Sequence, residues 1–140
     1  MIRRASKFDL PMIVDLFLDF HTQGKTILTK DASKWSSDYF ELQLTKTLAG
    51  LGFVLIDGDG KGVLWAIKAP CLFIPDVYAL FEVMWHSKDK KTSLALLKEY
   101  LIIGQEMKTR GQVDEVHFSS FSDTGFEKMG ARKFTTDWVL

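Results

Sequence analysis

A single cysteine, Cys71, closes off internal disulfide chemistry, and three histidines leave too few further ligands for a structural zinc site. Neither sign of charge dominates: 18 Lys+Arg stand against 18 Asp+Glu, for a net charge of zero. That balance speaks against a nucleic-acid coat or a polybasic membrane binder and leaves room only for a local basic patch. No apolar run approaches a membrane span, and Met1-Ile2-Arg3-Arg4 leads into polar residues rather than the apolar core of a signal peptide. The expectation is a soluble, cytoplasmic protein. Internal repeats, low-complexity tracts and interdomain linkers are also missing. What is present is core material, 46% hydrophobic residues and 13% aromatics, in a length of 140 residues that suits one domain, 1–140, and not two.

Hydrophobic periodicity divides the chain into elements. Residues 2–6 read as a short strand. Asp9 is a helix N-cap and Pro11 lies in the first turn, where its missing N–H does no harm. Met12, Ile13, Leu16, Phe17 and Phe20 then recur at helical spacing up to a stop at Gly24. A polar stretch, 25–37, precedes a second amphipathic helix marked by Trp35, Tyr39, Leu42 and Leu48, which ends near Gly50 and Gly52. The period then changes to that of strands at 53–56 and 62–69, joined by Asp57-Gly58-Asp59-Gly60. That tetrapeptide is a hairpin turn, since it lacks the spacing and closing glutamate of a calcium loop. An apolar connection around Leu72-Phe73-Ile74 leads to the longest strand, 78–86. A helix from Ser93 to Thr109, a strand at 113–120, a short helix at 122–129 stopped by Gly130, and a last strand at 133–139 complete the order. Consecutive strands with short turns must be antiparallel, whereas the step from 78–86 through a long helix to 113–120 is a parallel crossover. The fold class is therefore α+β (mixed α/β): a mixed, mostly antiparallel sheet with one βαβ crossover and helices on both faces.

The strand–loop–helix at 81–109 is the most informative stretch. The first N–H groups of a helix lack partners and carry the positive end of its dipole, so such a junction receives phosphates. Here it reads His86-Ser87-Lys88-Asp89-Lys90-Lys91-Thr92-Ser93, with three lysines. The alternative is a solvated basic loop. Strict alternation along the strand puts Tyr78, Leu80, Glu82, Met84 and His86 on one side, and Ala79, Phe81, Val83 and Trp85 on the other. Glu82 is thus an acid in an apolar strand, on the side of His86. It either works as a base with a raised pKa or lies on a solvated face paired to a lysine. His86 either relays a proton or sits at a strand–loop junction. His117 alternates with Glu115 and Ser119 and reads as a surface or satisfied core residue. His21 complements the dipole at the end of the first helix, and Cys71 reads as an inert buried thiol.

The element order, over essentially the whole chain, resembles the GNAT superfamily of N-acyltransferases. The resemblance rests on Ile2-Arg3-Arg4-Ala5 with Asp9-Leu10-Pro11, on the junction from Glu82 to Leu97, and on Gly125-Phe126-Glu127-Lys128-Met129-Gly130-Ala131, similar to the family's "FYEKLGF" stretch. The chain also resembles short GNAT-like proteins of tailed bacteriophages, notably in its Met129-Gly130-Ala131 ending. The resemblance implies acetyl-CoA as co-substrate, no metal, and transfer to an amine of unknown identity. It implies that Glu82 is the general base, with His86 beside it, and that backbone at Val83, Met84 and Trp85 holds the thioester. It further implies that Lys88, Asp89, Lys90, Lys91, Thr92 and Ser93 hold the pyrophosphate, and that the polar segment 23–39 shapes the acceptor pocket.

Two departures stand out. The family's phosphate loop reads Gln/Arg-x-x-Gly-x-Gly/Ala; here Lys88 takes the cation's place, and Lys91 and Ser93 stand where small residues are expected. Phe126 stands where many members carry a tyrosine that protonates the leaving thiolate; Tyr100 or Tyr78 either substitutes for it or packs in the core. These departures define a second expectation, a GNAT-fold binding or structural module, with Trp35, Trp65 or Trp138 as anchors for a phage protein or a second copy. A nucleic-acid binder is disfavoured by charge balance and by the want of an aromatic-basic platform.

Overall fold

The computed structural model describes residues 1–23, 35–119 and 126–132. The expected stop at Gly24, most of the polar stretch after it, the first residues of the short helix, the last strand at 133–139 and Trp138 lie outside the described residues.

The described elements are β1 (Ile2–Arg4), α1 (Leu10–Thr22), α2 (Ser37–Lys46), β2 (Gly52–Asp57), β3 (Gly62–Pro70), β4 (Tyr78–Ser87), α3 (Lys90–Thr109) and β5 (Glu115–His117). The five strands lie side by side in chain order, antiparallel throughout except for the parallel pair β4–β5. The β2–β3 turn closes as its sequence requires: the Gly60 amide donates to the Asp57 carbonyl at 2.9 Å, and Gly60 takes a φ of 75°. Alternation then divides β2 and β3 between two layers. Val54, Ile56, Val63 and Trp65 pack against Ile13, Leu16 and Phe20 of α1 and Phe40 and Leu44 of α2. Phe53, Leu55, Leu64 and Ala66 pack against Leu96, Leu97, Tyr100 and Ile103 of α3. The expected fold class, a mixed sheet with helices on both faces, is what the chain adopts.

Three local expectations need correction. Asp9 does not cap α1 with its side chain. Ser6 opens a short 3-10 turn, Lys7–Asp9, in a capping box with Asp9, which also shortens β1. The Asp9 carboxylate is gripped by the Arg3 guanidinium at 2.7 and 2.9 Å, a two-pronged ion pair that outweighs a single cap bond. The helix α2 buries Phe40 and Leu44, while Tyr39 and Leu42, expected inside, are 64% and 47% exposed. Phe40 wins the core because it meets Phe17, Trp35 and Trp65 with ring centroids 5.0–5.4 Å apart. Cys71 is half-exposed rather than buried.

At the far end of the molecule, the loop between β3 and β4 holds Leu72 and Phe73 87% and 88% exposed. On the α3 side, packing is tight at two glycines. A Cβ on Gly62 would meet Leu96, Ser87 and Thr92 atoms at 2.9 Å, and one on Gly104 would meet Val116 methyls at 2.9 Å. These positions let α3 close on β3 and β5, which sets where its first turn and its Tyr100 sit.

Candidate active site

The strand β4 does not alternate along its whole length. Its pairing with β3 runs Leu64↔Trp85 and Trp65↔Met84, then passes to Ala66↔Glu82, so Val83 has no partner on β3. This β-bulge shifts the phase by one residue. Glu82 shares the α3 side with Leu80 and Trp85, whereas Met84 and His86 face α1. The expectation that Glu82 and His86 share a side is therefore wrong. His86, 1% exposed, has its Nε2 2.6 Å from Asp19 Oδ2 on α1 and meets Phe20 edge-on. It joins β4 to α1 on the face opposite Glu82.

Just before the bulge β4 also parts from β5. The parallel rungs are Ala79↔Glu115, Leu80↔Val116 and Phe81↔His117, and β4 continues to Ser87 without further β5 partners. Glu82 stands at this fork. Its Oε2 accepts the Ser119 amide at 2.9 Å, and burial pushes its pKa up to about 7, the Ser119 bond offsetting only part of the effect. Nearby, the Tyr100 hydroxyl donates to the His117 carbonyl and lies 3.3 Å from the Leu80 carbonyl. Burial, and then the charge of Glu82, hold its phenol above the ordinary range. Val83, at the bulge, is 50% exposed, Met84 is buried in the α1–α2 layer, and Trp85 packs on the α3 side.

The loop expected at 87–92 is shorter than that: β4 runs to Ser87, α3 begins at Lys90, and only Lys88 and Asp89 connect them. Asp89 is the reason. Its Oδ1 accepts the Thr92 amide at 2.8 Å, its Oδ2 accepts the Thr92 hydroxyl at 2.9 Å, and its carbonyl accepts the Ser87 hydroxyl at 2.8 Å. The Thr92 bonds, chiefly, lower its pKa. The pattern Asp89-x-x-Thr92 was the available signal. Thr92 is buried and Ser93 half-buried, whereas Lys88, Lys90 and Lys91 are exposed. The Lys88 amide donates to the Lys61 carbonyl at 2.8 Å, and the Trp85 indole donates to the Ser93 carbonyl at 3.3 Å. The junction thus offers exposed ammonium groups and the leading amides of a 20-residue helix to an anion, with one carboxylate already on the Thr92 amide.

Other candidates fall into packing or surface roles. Phe126 meets Phe118 at 5.2 Å and Trp85 at 6.4 Å. Tyr78 lies at the opposite end of β4, under the Lys68 ammonium at 4.5 Å. His117 Nε2 is 2.8 Å from Glu115, and its ring stacks on Phe81 at 4.9 Å. Trp65 is 6% exposed, and Trp35, half-buried, stacks on Phe17 at 5.0 Å; neither is a free anchor. Among the described residues no group of three His, Cys, Asp or Glu converges on a metal position, and no helix is long and apolar enough to cross a membrane.

This sheet, forked between β4 and β5 and covered on both faces, has a GNAT-like fold. The structural likeness extends over the full chain. An acetyltransferase of Trypanosoma brucei superimposes with a TM-score of 0.67 at 16% identity, covering 100% of this chain and 97% of its own. An aminoglycoside acetyltransferase from an uncultured soil metagenomic sample, solved with sisomicin, gives 0.67 at 13%, covering 100% and 94%. A ribosomal-protein-alanine N-acetyltransferase of Brucella melitensis gives 0.61 at 11%, covering 100% and 98%. No family model matches the sequence, and no curated protein matches it.

Proposed function

We propose that this chain is an N-acetyltransferase that transfers the acetyl group of acetyl-CoA to an amine. The observation that carries this reading is the half-buried Glu82 carboxyl, with a pKa of about 7, at the fork of β4 and β5 beside the unpaired residue Val83. A base that must take a proton from an ammonium or a hydrated amine works best with a pKa near the working pH. The amine nitrogen attacks the thioester carbonyl carbon, the C–S bond breaks, and the nitrogen's proton passes to Glu82 directly or through one water. Backbone amides around Val83 to Trp85 hold the carbonyl oxygen as charge develops on it. The sulfur leaves as thiolate: Phe126 has no proton to give, and the Tyr100 hydroxyl is committed to two main-chain carbonyls. Lys88, Lys90, Lys91 and the first amides of α3 hold the pyrophosphate. The fold's occurrence in acetyltransferases that act on an aminoglycoside and on a ribosomal-protein alanine supports the reaction type and leaves the acceptor open.

Calorimetric titration of the purified protein with acetyl-CoA tests the reading. Saturating ligand at about 100 times Kd should also stabilise the fold by about 2.7 kcal/mol. No heat and no thermal shift at millimolar acetyl-CoA would overturn it.

One alternative has support of its own. The Asp89 carboxylate on the Thr92 amide and the apolar packing of Phe126 suit a GNAT-fold binding module, as in a phage particle, that has given up the thioester. In that case Leu72 and Phe73, rather than Trp35 or Trp65, present the apolar contact. Absence of acetyl-CoA binding, together with self-association abolished by Phe73→Ser in light scattering, is the result that selects it.

A further inference from the structure

We infer that Tyr100 is a positioning residue that, with Glu82, wedges β4 and β5 apart and so fixes the opening into which a thioester arm passes. The inference rests on the acetyltransferase reading for what enters the fork, and on geometry alone for the wedge. Below the fork the two strands are joined by ordinary parallel rungs, the last of them Phe81↔His117. At that rung a side chain joins in: the hydroxyl of Tyr100, which is 0% exposed, donates to the β5 carbonyl of His117 and lies 3.3 Å from the β4 carbonyl of Leu80. One step further, the Ser119 amide would meet a main-chain carbonyl of β4 if the ladder continued. It meets the Glu82 side chain instead, at 2.9 Å. A carboxyl group is longer than the gap between paired strands allows, so this bond satisfies the amide while holding the backbones apart.

The helix makes the wedge rigid. Gly104 lies one turn beyond Tyr100, and the close approach of α3 to Val116 at that glycine brings the phenol within reach of both carbonyls. The Tyr100 ring itself is locked in the α3-side core with Phe53 and Leu97. The strand separation is therefore referred to the rigid body of α3 rather than to a loop. Tyr100 touches neither acetyl group nor amine; it acts through the two strands that do.

Tyr100→Phe keeps the ring and removes only the hydroxyl. The KM for acetyl-CoA should rise about tenfold while kcat at saturation changes by less than about threefold, because the defect lies in admitting the thioester rather than in the proton transfer. By amide hydrogen exchange, Ser119 should exchange at least about tenfold faster, while Leu64, in the middle of β3, keeps its rate. An unchanged KM with unchanged Ser119 exchange overturns the inference, and so does equal acceleration at Ser119 and Leu64, which marks general loosening. Should Tyr100→Phe not fold, the Glu82 arm decides. Glu82→Ala should release the Ser119 amide and Glu82→Gln, which keeps an acceptor oxygen, should retain it; equal protection in both overturns the wedge. If the unaltered protein does not use acetyl-CoA, the kinetic arm reports failure of the proposed function, and the exchange arm still decides the wedge.

Discussion

The Asp89 carboxylate holds the Thr92 amide at 2.8 Å, so the helix start proposed as the pyrophosphate site already carries an anion of the chain's own. Stability and ligand affinity are set against each other at this residue. Asp89→Asn keeps a cap and removes the charge; it should bind acetyl-CoA about tenfold tighter with little change in thermal midpoint. Asp89→Ala should also bind tighter, but with a midpoint about 2–4 °C lower for want of the cap. Calorimetric titration alongside thermal unfolding reads both effects, and weaker binding by both variants would remove the carboxylate from any such role.

Glu82 leads to a pH prediction whose sign follows from its raised pKa. A carboxyl whose pKa is about 7 folded and 4.5 unfolded favours the fold while protonated, and that contribution is lost as pH rises from about 4.5 through 7. Glu82→Gln should therefore be more stable than the parent above pH 8, by at most about 3 kcal/mol, and show no such gain near pH 4.5. Turnover runs the other way: in the parent it should climb with pH through about 7 as the carboxylate forms, and in Glu82→Gln it should fall about 10²–10⁴-fold without loss of acetyl-CoA binding. A parent rate that is flat from pH 5.5 to 8.5 would count against Glu82 as base.

His86 and Glu82 face opposite layers, which separates their roles experimentally. His86→Asn should lower the thermal midpoint by disrupting the contact with Asp19 and the packing on Phe20. It should leave the apparent pKa of the turnover profile where it was. A shifted profile would return His86 to the proton path.

A purely structural prediction concerns the α2 end of the molecule. The Trp65 indole donates to the Thr47 hydroxyl at 2.9 Å, and that hydroxyl donates to the Gln43 carbonyl at 2.9 Å. Thr47→Val keeps the shape and leaves a buried N–H without its acceptor, at a cost of about 1–3 kcal/mol by chemical denaturation. No loss would mean that the indole finds another acceptor.

Much of the architecture was legible because it rests on signals within a few residues of one another. The hairpin at 57–60 and the parallel crossover through α3 follow from turn residues and connection length. The candidate site was legible in outline: Glu82 stood out as an acid in an apolar strand, and the lysines marked the helix start. Its geometry was not, because the partners are far apart in the chain. Asp19 and His86 are 67 residues apart, Glu82 and Ser119 are 37 apart, and no spacing rule joins them. The side of α2 that is buried depended on where Phe17 and Trp65 place their rings. The short loop before α3 was missed for a different reason: Asp89 looked like part of a charge run, when its distance from Thr92 made it a cap.

The unpaired Val83 has a consequence for how this segment can change. With Val83 removed, β4 would alternate without a break, and Glu82, opposite Ala66, and Met84, opposite Trp65, would each keep the layer they occupy now. The strand can therefore lose its extra residue at Val83 without exchanging the contents of its two layers, which makes this one position the place where the length of the segment is free to change.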